Sequence, residues 1–156
     1  MPKKTAVKTA RKRTPKSINP GTYTTPSGNV SIHVPPFWMF RQTNDDLQLV
    51  SPSGEVSLIV NAYSGSNGHG KLDAREYLDH LLQSAPHESR VKREKATRTR
   101  AAARYRDTDG TSWCVEFVTD GKTLLLAEIS SAASLVSAEG RTAVAALDSV
   151  RIKPSR

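Results

Sequence analysis

The chain reads as an α+β protein: an antiparallel sheet with helices packed on its faces. Three observations predict this. Alternating apolar and polar runs recur along the chain, turn signals sit between them, and one strongly amphipathic helix interrupts the series, with a weaker one near the C-terminus. Strands joined by tight turns pair antiparallel, because a parallel pair needs a long crossover. The helices then bury their apolar stripes against that sheet.

The elements follow in order. Thr22-Tyr23-Thr24-Thr25 is a short strand and Pro26-Ser27-Gly28-Asn29 a turn, with Gly and Asn suited to positive φ. Val30-Ser31-Ile32-His33-Val34 alternates as a half-buried strand does, and Pro35-Pro36 ends it. Phe37, Trp38, Met39 and Phe40 form the densest apolar cluster and are expected to plug one end of the core. Leu47–Val50 and the alternating run from Val56 to Ala62 form a second hairpin through Ser51-Pro52-Ser53-Gly54. After a glycine-rich loop, Ser64–Gly70, a helix opens at Asp73, with Glu76 completing a capping-box pattern. Ala74, Leu78, Leu81, Leu82 and Ala85 make one stripe, and Pro86 stops the helix. Val91 to Asp107 is basic and strand-like. Asp109-Gly110 and Asp120-Gly121 are turns, and the strand between them carries Trp113, Val115 and Phe117 on one face. Thr123–Ser130 is its partner. Ser137 caps a last helix to about Asp148, and Val150-Arg151-Ile152 closes the chain as a short strand.

Length and charge bound the function. The chain has 156 residues, about one domain. Lys and Arg number 23 against 15 Asp and Glu, for a net charge of +8. Seven of those cations (Lys3, Lys4, Lys8, Arg11, Lys12, Arg13 and Lys16) lie in residues 1–20, which hold no acid, so the rest of the chain carries a net +1. The segment is too poor in apolar residues to offset its ordering entropy and reads as a disordered basic arm, followed by one globular domain over 21–156. A lone cysteine, Cys114, excludes a disulfide framework. The longest fully apolar run, Leu124 to Ala127, excludes a helical membrane span. With no secretory signal pattern at the start, a cytoplasmic setting is expected.

The opening hairpin, with Tyr23, Gly28, Val30 and Ile32 followed by Pro35-Pro36 and Trp38, resembles the opening of PsbP-like domains, and Ser149-Val150-Arg151-Ile152 is similar to their closing strand. This group includes the photosystem subunit PsbP, the Ran-binding Mog proteins and the bacterial DcrB proteins. By element order the resemblance covers roughly residues 21–153. It implies an α/β/α sandwich around an antiparallel sheet and a binding or assembly role without catalysis. The matching residues are structural, so the resemblance assigns no functional residue.

Several constellations bear on chemistry. Gly65-Ser66-Asn67-Gly68-His69-Gly70-Lys71 has the spacing of a phosphate-binding loop between a strand and a helix. Leu72, however, stands where Ser or Thr holds the magnesium, and Asp73 puts a negative charge where the phosphates would lie. His33, His69, His80 and His87 are scattered, and one cysteine makes no zinc pattern. Cys114 lies mid-strand between Trp113 and Val115, as a small buried residue does. Arg90, Lys92, Arg93, Lys95, Arg98, Arg100, Arg104 and Arg106 face one acid within their span, Glu94. In regular alternation Arg93 and Lys95 share one strand face, and Lys92, Arg98 and Arg100 the other. The candidate polyanion-binding set is therefore the seven arm cations with Arg93, Lys95, Arg98 and Arg100. No catalytic residue, cofactor or metal is expected. The leading expectation is a non-enzymatic binding or scaffold domain with a protein partner. The alternatives are a nucleic-acid-associated protein using the arm and the Arg90–Arg106 strip, and a nucleotide-binding enzyme using Gly65–Lys71.

Overall fold

The computed structural model describes residues 21–25, 28–43, 46–64, 71–87 and 90–153, with the backbone alone at Ser64. The expected arm and the loop from Gly65 to Gly70 lie outside them.

Ten strands and two helices are described, running β1 (Gly21–Thr24), β2 (Val30–Val34), β3 (Met39–Thr43), β4 (Asp46–Val50), β5 (Val56–Ser64), α1 (Ala74–Ser84), β6 (Lys92–Ala96), β7 (Arg100–Arg106), β8 (Ser112–Thr119), β9 (Thr123–Ser131), α2 (Ala138–Asp148) and β10 (Arg151–Ile152). The main sheet has seven strands in the order β3-β4-β5-β9-β8-β7-β6, and a small sheet has the order β1-β2-β10. Every pairing is antiparallel.

The topology follows from the connections. β3, β4 and β5 form one meander. α1 then carries the chain to the far edge at β6, and β6 to β9 return as a second meander until β9 pairs with β5 over nine residue pairs, Val56↔Ser131 to Ser64↔Thr123. Two details differ from the sequence expectation. β3 is an added strand, because the run Phe37–Phe40 does not alternate in hydropathy although its side chains alternate in space: Trp38 and Phe40 are buried, whereas Phe37 and Met39 are exposed. The run therefore plugs the core with half of its side chains. The stretch Val91–Asp107 is two strands, because Thr97 turns the chain, its hydroxyl bonding both the amide (3.0 Å) and the carbonyl (2.9 Å) of Arg100.

Both faces of the main sheet carry core. α1 packs Ala74, Leu78 and Leu82 onto Ala101, Ala103, Val115, Phe117 and Leu124. On the opposite face α2 and the small sheet enclose Leu47, Leu49, Leu58, Val60, Leu125, Ala127 and Ile129 with Val30, Ile32, Ala143, Ala146 and Leu147. The second outer layer is thus a helix together with three strands. The helices start as their sequences require. Asp73 accepts the Arg75 amide at 2.9 Å, and Ser137 accepts the Gly140 amide at 3.1 Å. No helix among the described residues is long and apolar enough to cross a membrane.

The closing Ser-Val-Arg motif has a physical role. The hydroxyl of Ser149 accepts the His33 amide of β2 at 2.8 Å, Val150 is fully buried, and Arg151 donates to the Asp148 carbonyl at the end of α2. Gly140 lets α2 approach the preceding loop: a Cβ there would lie 2.5 Å from the Leu135 carbonyl oxygen. Gly140→Ala is therefore expected to destabilise the protein by about 1–3 kcal/mol in urea titration, despite the gain of about 1 kcal/mol in helix propensity that alanine brings.

Candidate functional site

The basic strip is built by β6, β7 and the turn between them. A bulge at Glu94 shifts the register, with Arg93 opposite Ala103 and Lys95 opposite Ala102. Adjacent partners on β7 face opposite ways, so the bulge places Arg93 and Lys95 on opposite faces of the sheet, contrary to the sequence expectation. Arg93 reaches Asp79 of α1, while Lys95 reaches Glu116 of β8 and Asp148 of α2. Arg98 lies in the turn and approaches Asp73 at 3.7 Å on the α1 side. Arg100 pairs with Glu116 on the other side. Lys92, Arg98 and Arg100 therefore do not form one face either. Arg104 pairs with Glu94 at 2.8 Å.

Each of the four predicted strip residues meets a carboxylate, and all four of those carboxylates come from outside residues 90–106: Asp73 and Asp79 on the α1 side, Glu116 from β8 and Asp148 from α2. Sequence distance hid Asp73, Asp79, Glu116 and Asp148 from the strip. Arg90 and Lys92 remain exposed at the rim.

Glu116 is the centre of the arrangement on the α2 face. It is 1% exposed and receives Arg100 and, at 3.4 Å, Lys95. Arg100 also donates to the carbonyls of Leu147 (3.5 Å) and Val150 (3.2 Å), where the C-terminus of α2 attracts positive charge. Burial works against the charge of Lys95, but Asp148 at 2.9 Å and Glu116 outweigh it and hold its pKa above the ordinary lysine value. These cations hold the fold together.

The other candidates fall into place around this frame. Cys114 is buried beside the same network, and burial pushes its thiol up to about 12. Lys71 is exposed, and the α1 start that a phosphate would occupy already holds Asp73, kept ionised below its ordinary value by the hydrogen bond from Arg75. β5 and β6, on either side of α1, belong to an antiparallel sheet and do not pair, unlike the parallel strands that a phosphate-loop unit places on either side of its helix. His33 and His80 are exposed, and His87 lies edge-on to Tyr105. No group of three metal-ligating side chains occurs among the described residues.

Sequence reading missed the surface at β3. Its exposed row is Met39, Arg41 and Thr43. Phe37, just ahead of it, is 89% exposed and has φ 68°, the one non-glycine in the left-handed region among the described residues. Met39, Phe40, Arg41, Gln48 and Val50 line an open depression of about 150 Å³. The signal available in the sequence was Pro35-Pro36 immediately before an aromatic.

No protein-family model matches the chain, and no curated protein sequence matches it. Among solved structures it is similar to the Ran-binding protein Mog1p of Saccharomyces cerevisiae, with a TM-score of 0.53 and 12% identity over 87% of this chain and 96% of that one. The chain has the Mog1p fold. This is the α+β fold that the resemblance to PsbP-like domains implied. At this identity the likeness establishes the fold alone.

Two outcomes test the electrostatic frame. Glu116→Ala leaves Arg100 and Lys95 without their buried partner and is expected to cost about 3–5 kcal/mol in urea titration, whereas Asp148→Ala, which removes an exposed partner, should cost under about 1 kcal/mol. The Cys114 thiol should resist an aromatic disulfide reagent at pH 8 in the native protein and react fully once urea unfolds it.

Proposed function

We propose that this chain is a non-enzymatic protein-binding domain. The observation that carries the reading is the likeness of fold to a Ran-binding protein across 96% of that protein's chain. The chemistry of the site residues supports it. The cysteine is sealed in the core, the helix start that could receive a phosphate is occupied by its own carboxylate, and Lys95 and Arg100 of the predicted cationic strip are paired with the buried Glu116. A rigid sheet offering its rim to another macromolecule fits these facts better than a reaction centre does. The cytoplasmic setting is part of the same proposal.

A second reading rests on the charge asymmetry. Seven cations and no acid in residues 1–20 support a weak phosphate contact that does not depend on sequence. Lys95 and Arg100 are held at Glu116, while Arg93 and Arg98, both exposed, join the arm as sources of such binding.

The two readings separate in one comparison of the full chain with a version lacking residues 1–20. The protein-binding reading expects the same partner to be captured by both forms from nuclease-treated extract of the source cells. It expects little binding of either form to a labelled DNA duplex or single strand at physiological salt. Loss of all captured material on nuclease treatment or on removal of the arm would replace it with the nucleic-acid reading. In that case the log–log salt slope of DNA binding should fall by up to about six when the seven cations are removed.

A further inference from the structure

The main sheet ends in two edges of different character. β6 carries Lys92, Arg93, Glu94 and Lys95 in succession, with a bulge between Arg93 and Lys95. Consecutive charges and a bulge are the ordinary means by which an edge strand avoids pairing with a foreign strand. β3 has neither device. It pairs with β4 in five regular steps, from Met39↔Val50 to Thr43↔Asp46, and Arg41 is its single charge. Alternate residues of an edge strand direct their amides and carbonyls away from the sheet, and these form a template for another strand. Beneath the edge, β1 approaches through Tyr23, whose ring lies 4.6 Å from that of Phe40 and whose hydroxyl bonds the Gln42 side chain. That contact steadies β3 from the core side and leaves Met39, Arg41 and Thr43 outward.

An apolar anchor lies beside this edge. Phe37 is held in a left-handed conformation with 89% of its surface in water, and Met39 is 53% exposed. A strained backbone that presents an aromatic ring to solvent is a feature of recognition surfaces more than of folding.

We propose that β3 is a strand-addition site that takes an extended segment of a partner protein. The segment places an apolar side chain beside Met39 and Phe37, and an acidic side chain two residues away against Arg41. This deepens the protein-binding reading and rests on it. Charge decides the occupant. Arg41 is exposed and is in no ion pair among the described residues. A second copy of the chain would bring another Arg41 to the same short edge and a second net charge of +8, and the chain's own residues 1–20 carry seven cations. Both are repelled where an acidic segment is attracted. Main-chain bonds give such a complex its affinity, and the two side chains give it its choice of partner.

The test uses the full chain, labelled with ¹⁵N, and two capped peptides of about eight residues, the length of a strand with its flanks. Both alternate threonine and valine. One carries leucine and aspartate two positions apart; the other carries leucine and lysine. Titration to millimolar peptide should shift the amides of Met39–Thr43 and slow their hydrogen exchange. The aspartate peptide should bind about fivefold more tightly than the lysine peptide. Arg41→Glu should reverse that preference. Phe37→Gly should weaken both peptides without loss of thermal stability, because glycine adopts the left-handed conformation freely. Absence of binding, shifts centred away from β3, or the same preference in the Arg41→Glu variant would overturn the proposal. Protection of β3 that rises with protein concentration alone would assign the edge to a second copy and would overturn it too. If the peptides fail while Arg41→Glu protein still captures the partner recovered by the full chain, the β3 placement falls and the protein-binding reading stands.

Discussion

The buried carboxylate of Glu116 is the constraint on which the rest of the structure turns. A charge at 1% exposure is tolerable when cations and hydrogen bonds replace the water it has lost. β7 brings Arg100 and β6 brings Lys95, so two adjacent strands are tied to β8 from the same face. Both cations also reach α2, Arg100 at the Leu147 carbonyl of its last turn and Lys95 at Asp148, and Arg100 bonds the Val150 carbonyl just beyond the helix. One buried acid thereby fixes how the second meander of the main sheet meets the layer above it. The layer continues through Ser149, which holds β2, and through Val150, which leads into β10.

Coverage of the sheet is uneven, and the unevenness has consequences for function. On one face α2 and the small sheet enclose the larger cluster, whereas on the other α1 lies over β7 and β8. Antiparallel sheets tolerate water on one face, and the outward rows of β3, β4 and β5 mix Arg41, Gln48 and Asn61 with Met39, Val50, Ile59 and Tyr63. Glu128 of β9 lies on this side half-buried, and desolvation raises its pKa. The two edges of this sheet differ in charge. β6 is charged and bulged, whereas β3 is regular, short of charge and preceded by an exposed aromatic.

Local patterns made much of the fold legible. Alternation marked β2, β4, β5 and β8, and turn residues such as Gly121, at φ 95°, marked where strands reverse. Asp73 and Ser137 announced both helices through groups that cap their own backbone. β3 was hidden because four apolar residues in a row erase the period of two, although Trp38 and Phe40 point inward and Met39 outward. The break at Thr97–Thr99 was hidden because threonine favours extension as readily as it forms a turn through its hydroxyl.

The site divided in the same way. Composition alone identified a neutral body with a basic segment at its start, and the position of Cys114 in an apolar strand already told against a reactive thiol. What the cations of the strip do could be decided only in three dimensions. A single extra residue at Glu94 sends Arg93 to α1 and Lys95 to α2, and their partners arrive from helices and strands distant in sequence. The sequence by itself determined the elements, their turns, their caps and the overall charge, because these depend on neighbours within a few residues. The tertiary structure decided which charges are neutralised, which strands form the edges and which apolar residues stay in water, because each depends on what the chain brings back from far away.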